Sequence, residues 1–214
     1  MADVPLSVLP AEAYLGHLDR ESRRFNEVLA RVDPNIPVPT CPEWTAADLV
    51  WHLTEVQWFW GSIASGPILD AKEVERADAD KPARPEGYHD LLALFGTSRE
   101  RLATAIADGP DDTPLWSWAE EQTLGFTRRR QAHEALIHRV DAELTAGIPV
   151  QPLDPALAAD GVDEVLTVMW GGVPKWANFA PSDNVIAVET LDTGHAWLVR
   201  LGQLTGTSPN SGRS

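Results

Sequence analysis

The residues best equipped to do chemistry fall in one short run, His133-Glu134-Ala135-Leu136-Ile137-His138. It resembles the zincin pattern, in which two His four apart on one helix face bind zinc and the intervening Glu acts as base. The count excludes that reading. His133 and His138 are five apart, which turns them about 140° around a helix, so one ion cannot take both. Glu134 and His138 are four apart and differ by only about 40°, so they share a face. His52, one position before Leu53 on the inner side of an earlier helix, could join them. Three ligands, His52, Glu134 and His138, drawn from two helices of a bundle, would leave a fourth position open for water or substrate, as catalytic zinc sites do. The residues alone leave a plainer reading open. A Glu–His pair at this spacing is common on solvated helices, and a lone inward His also fits a hydrogen-bonded core position.

Other reactive types carry less. Cys41 precedes the second helix, whose N-terminus could lower a thiol pKa, but a small buried residue in a tight loop is the better fit. Arg129 and Arg130 could meet a substrate carboxylate, and Arg130 lies on the Glu134 side of its helix; both could equally pair with acidic neighbours. His133 falls within an apolar stripe and reads as a core histidine. Four of the nine Trp (Trp44, Trp51, Trp58, Trp60) cluster, and with Trp116 and Trp118 they could wall a pocket, though core packing suits most of them.

These side chains have to be positioned by helices. Over 11–32, Tyr14, Leu18, Phe25, Leu29 and Val32 recur at helical spacing until Pro34, Pro37 and Pro39 stop the pattern. A second helix opens on Thr45 with Asp48 three residues on, a capping box with Asp for Glu, and Gly66 and Pro67 end it. The densely charged stretch 70–86 has no apolar period and reads as a solvated loop. A third helix is expected over 86–108, a loop over 109–125, and a fourth helix over 126–146, closed by Gly147 and Pro149. Its buried stripe is expected to be Leu136, Ile137, Val140 and Leu144, with Glu134 at the edge. Four such helices argue for a four-helix bundle, over residues 1–150. After Pro152 a short α+β region, 151–214, is expected: a helix over 155–170, strands over 185–191 and 196–201 joined by a hairpin turn, and a disordered tail over 205–214. A lone hairpin is marginally stable, so these strands need more sheet than this chain supplies, and a homodimer is expected.

Composition narrows the partners. The 214 residues carry 17 basic and 32 acidic side chains, a net charge of −15. Such a surface repels phosphate, which argues against a nucleic-acid partner and against an anionic membrane. With no long apolar run and no basic-plus-apolar leader at the N-terminus, a cytoplasmic protein acting on a small molecule is the expectation. One cysteine allows neither an internal disulfide nor a cysteine-based zinc site, so a metal would use His and carboxylate ligands, which suit zinc but also nickel, iron or manganese.

Two longer runs add a family resemblance. Val38-Pro39-Thr40-Cys41-Pro42-Glu43-Trp44-Thr45-Ala46-Ala47-Asp48-Leu49-Val50-Trp51-His52-Leu53 and Arg129-Arg130-Gln131-Ala132-His133-Glu134-Ala135-Leu136-Ile137-His138-Arg139-Val140-Asp141-Ala142-Glu143 look like the two signatures of the mycothiol-dependent maleylpyruvate isomerase family. That family belongs to the DinB-like superfamily of four-helix-bundle metalloenzymes and is common in actinobacteria. The resemblance, over about residues 10–150, implies a divalent metal, usually zinc, on His52, Glu134 and His138. It also implies mycothiol as thiol cosubstrate. In the family reaction the thiolate adds to the cis double bond of maleylpyruvate, the carbon bond rotates, and elimination gives fumarylpyruvate. Conjugation without elimination would make the protein an S-transferase. The family's smaller C-terminal domain resembles 187–201 here, looks shortened, and supplies an arginine to the reaction for which Arg200 is the candidate. The alternative is a non-catalytic bundle that binds a metal or small ligand.

Overall fold

The computed structural model describes residues 9–66 and 68–208, with the backbone alone described at 76–78. The chain is mainly α and divides into two compact units, residues 10–152 and a C-terminal one beginning at residue 153.

The first unit is a four-helix bundle. Helix α1 (Ala11–Leu29) stops three residues short of its expected end, because Ala30 to Val32 close a turn onto the last carbonyls. The proline-rich link that follows folds into a small antiparallel hairpin, β1 (Pro37–Val38) and β2 (Cys41–Thr45). No alternation over so few residues announces it in the sequence. Helix α2 (Ala46–Ser65) begins as expected: Thr45 accepts from the Asp48 N–H, and the Asp48 carboxylate accepts from the Thr45 N–H at 2.8 Å. The charged stretch 70–86 is not all loop. Asp70 accepts from the Lys72 N–H and starts a short, largely exposed helix, α3 (Ala71–Ala79), whose helix-forming Ala, Lys and Glu residues need no apolar stripe because little of it is buried.

Helices α4 (Tyr88–Ile106) and α5 (Leu124–Thr145) complete the bundle, α2 packing mainly on α4 and α1 mainly on α5. Phe25, Leu49, Leu53 and Phe95 lose all their exposure in the centre, the two Phe rings 5.0 Å apart. Each such side chain contributes about 1.5–3 kcal/mol of burial. The buried face of α5 differs from expectation. Leu136 is buried, but Ile137 and Leu144 are 57% and 38% exposed. Instead α5 buries Ala132, Ala135 and Ala142 among Gln131, Arg139 and Glu143. Small side chains bring the helix close, and Arg139 and Glu143 are tolerated because they find partners across the bundle, whereas the Gln131 amide is buried without a hydrogen-bond partner among the described residues.

That compensation is concrete. Arg139, almost fully buried, donates to Glu21 on α1 and to Glu143 one turn on, each at 2.8 Å, and Glu143 also accepts from Arg24 at 2.9 Å. Charges this deep persist only when paired and hydrogen-bonded.

In the C-terminal unit, α6 (Pro155–Glu164) is capped by Asp154 and runs into a π-helical turn, Val165–Met169. Strands β3 (Ala177–Glu189) and β4 (Ala196–Gly206) form a two-stranded antiparallel sheet, longer than expected, with a register shift between Pro181 and Val185. Thr205 and Gly206 belong to β4, where a disordered tail was expected; 209–214 lie outside the described residues, as do 1–8, where the absence of a leader was read.

Candidate metal centre

The capping box sets the phase of α2, directing Leu49 and Leu53 into the core and leaving His52 at the rim of the same face, its side chain 33% exposed. On α5, Glu134 and His138 occupy the matching rim, 21% and 12% exposed. The two helices thus bring three side chains together across 82 to 86 residues of sequence. The Glu134 Oε1 lies 3.2 Å from the His138 Nε2 and 3.4 Å from the His52 Nε2. One ligand atom from each residue lies within 4.8 Å of the other two. With bonds of about 2.0–2.1 Å, the edges of a tetrahedral zinc site are about 3.4 Å, so the donor types and their separations fit a zinc-sized cation.

The surrounding contacts divide the labour. The second Glu134 oxygen, Oε2, accepts from the Arg130 Nη2 at 2.8 Å, which leaves Oε1 for the histidines. On the far side of the His138 ring, Nδ1 meets the Asp141 Oδ2 at 2.9 Å, and the Asp141 Oδ1 accepts from the Thr40 hydroxyl at 2.7 Å. The Trp44 ring lies 4.8 Å from the His52 ring, and the two imidazoles meet edge-on.

Charges follow from this packing. Burial opposes the charge on Glu134, but hydrogen bonds from His138 and His52 and the nearby Arg130 guanidinium hold its carboxyl well below the usual range. Burial likewise opposes a charge on His138, and the hydrogen bonds of Asp141 and Glu134 outweigh it, raising the imidazole to about 9. A positive charge is therefore favoured where the three side chains meet, and a divalent cation satisfies the same demand as the His138 proton while releasing it.

Arg130 stands beside the cluster. Arg200 is exposed on β4 opposite Val185, where with Trp170, Phe179 and Trp197 it lines a cavity of about 570 Å³ within the C-terminal unit. Cys41 is a free thiol on β2, packed against the core. His133 is buried, with the Tyr14 ring edge-on to it. Trp58 stacks under Arg101, Trp60 meets Trp116, and Trp118 is half exposed against Phe126. Sequence reasoning missed Asp141 and Thr40. Asp141 was within reach, three residues after His138 on the same helix; Thr40 had no local signal.

A four-helix bundle with a His-Glu-His cluster shared by two facing helices defines a class, the helical bundles with a candidate metal centre between helices. Within that class, the model of the mycothiol maleylpyruvate isomerase N-terminal domain family matches residues 15–143, and the chain belongs to this family. The match bears out the resemblance carried by the runs around His52 and His138. No curated protein and no solved structure matches the chain.

Proposed function

We propose that the protein is a metal- and thiol-dependent enzyme of the maleylpyruvate isomerase type, an isomerase or S-transferase with mycothiol as cosubstrate. The observation that carries this reading is the convergence of His52, Glu134 and His138 on one point, with Glu134 Oε1 shared between the two imidazoles. A divalent metal bound there, zinc being the best match, would hold a thiol as thiolate near neutral pH. The chain's own residues do the rest. His52 and His138 supply neutral nitrogens from two helices, which fixes the distance between α2 and α5 at the site. Glu134 supplies one oxygen and keeps the other on Arg130. The Arg130 guanidinium places a cation beside the cluster, where a substrate carboxylate is drawn in and oriented. Arg200 is the second cation we assign to a substrate carboxylate, on the family resemblance.

The net charge of −15 supports a small-molecule substrate over a nucleic acid. Among the described residues no helix is long and apolar enough to cross a membrane. Among the described residues the β3–β4 sheet has no third strand, which supports a homodimer.

Metal analysis of protein purified without added metal is the first test, with His52→Ala and Glu134→Ala beside it. About one equivalent of zinc in the parent and a loss in both variants is the expected result. Thiol consumption with mycothiol and maleylpyruvate, then with other electrophiles, follows. Metal binding without turnover on any of them would put a non-catalytic binding bundle ahead.

A further inference from the structure

We propose that Asp141, gripped by Thr40, is the positioning residue that aims His138 at the cation, and that the β1–β2 hairpin is thereby part of the metal centre. The inference rests on the metal reading above.

Both Asp141 oxygens are spoken for: Oδ2 faces the His138 Nδ1 at 2.9 Å and Oδ1 takes the Thr40 hydroxyl proton at 2.7 Å. The Asp141 side chain is 9% exposed, so its carboxylate depends on these partners in place of water. Held at both ends, it cannot swing round to become a ligand itself. A carboxylate accepts and does not donate, so it requires a proton on Nδ1, and Nε2 is then the nitrogen that gives up its proton and turns its lone pair to an incoming cation. Without it, the His138 ring is free to flip and to exchange tautomers, and only one of those arrangements presents Nε2.

What fixes Asp141 comes from 101 residues earlier in the chain. Thr40 sits in the turn between β1 and β2, anchored by Val38, which is fully buried, and by the Val38–Cys41 pairing. The same hairpin carries Trp44, whose ring covers His52, and ends on Thr45, the cap of α2. One small hairpin therefore braces two ligands that come from different helices, through a hydrogen-bond relay to His138 and through ring contact to His52. This gives a role to a two-stranded element too short to be stable by itself.

The test uses the full chain and the variants Asp141→Ala, Thr40→Val and Thr40→Ser. Zinc affinity is read by competition with a chromophoric chelator, and geometry by the absorption of the cobalt(II)-substituted protein. Asp141→Ala is expected to weaken zinc binding about 10- to 100-fold and to alter the cobalt spectrum. Thr40→Val should move both in the same direction by less, and Thr40→Ser, which restores the hydroxyl, should return toward the parent. Should Asp141→Ala fail to fold, as judged by circular dichroism, the Thr40 pair decides. Parental affinity and spectrum in Asp141→Ala and Thr40→Val overturn the inference, as does a Thr40→Ser variant as weak as Thr40→Val. A parent that binds no zinc overturns the metal reading itself, and the two failures are thus distinguishable.

Discussion

Arg130 and Glu134 stand one helical turn apart on α5, and the guanidinium Nη2 holds the carboxylate Oε2 at 2.8 Å while Oε1 faces the two histidines. Arg130 therefore acts as the standing countercharge of a carboxylate that is four-fifths buried. Arg130→Gln is expected to destabilise the metal-free protein by about 1–3 kcal/mol, the size of a lost charge-assisted hydrogen bond. In zinc-saturated protein the loss should be smaller, because the cation takes over the compensation. Thermal melts with chelator and with zinc check this; an equal loss in both states would show that Arg130 serves packing alone.

Zinc itself should stabilise the fold in proportion to its excess. A ligand that binds only the native state adds about 2.7 kcal/mol at a hundred times its Kd. The melting temperature should rise with zinc in the parent and stay constant in His52→Ala and Glu134→Ala, as scanning calorimetry would show.

Arg139 tests the polar seam between α1 and α5. Its guanidinium bridges Glu21 and Glu143, whose side chains are 9% and 0% exposed. Arg139→Met leaves two buried carboxylates short of a cation and is expected to cost about 3–5 kcal/mol by urea unfolding. A cost under about 1 kcal/mol would mean that Arg24 alone satisfies Glu143.

Asp48 gives the α2 cap a pH dependence. Hydrogen bonds from the Thr45 hydroxyl and backbone, with Arg84 beside it, lower its carboxyl to about 2. A depressed folded-state pKa contributes stability that is fully present above the unfolded value of about 3.9 and is lost as pH falls toward 2. The difference in unfolding free energy between the parent and Asp48→Asn should therefore be constant from pH 7 to about 5 and shrink on further acidification.

Gly61 marks the closest approach of α2 to α4. A Cβ there would sit 3.1 Å from the Leu102 backbone nitrogen and 3.2 Å from its Cα, main-chain atoms of α4 rather than the end of a flexible side chain. Gly61→Ala gains helix propensity of about 1 kcal/mol but overpacks the seam by about 1–3 kcal/mol. A net loss of about 1 kcal/mol is expected in thermal melts, and a larger one for Gly61→Val.

By itself the sequence determined the bundle, the start of α2 and the shared face of Glu134 and His138, while His52 joined them only through the resemblance and the fold. Helical periodicity, a Thr-x-x-Asp cap and an i,i+4 carboxylate–imidazole pair are local patterns, and local patterns survive without knowledge of the partner. It was silent where the deciding contact is remote. The buried face of α5 looked like Leu136, Ile137, Val140 and Leu144, yet Ile137 and Leu144 face outward, because Arg139 and Glu143 find Glu21 and Arg24 on a helix more than a hundred residues away. The charge-rich helix α3 hid for the converse reason: being largely exposed, it needs no stripe. Thr40 is the clearest case. Nothing in Pro39-Thr40-Cys41 marks a residue of the site, and only folding brings its hydroxyl to Asp141. Tertiary structure decided which charged side chains are buried together, since Arg139, Glu143 and Asp141 are held by partners that arrive from elsewhere in the chain.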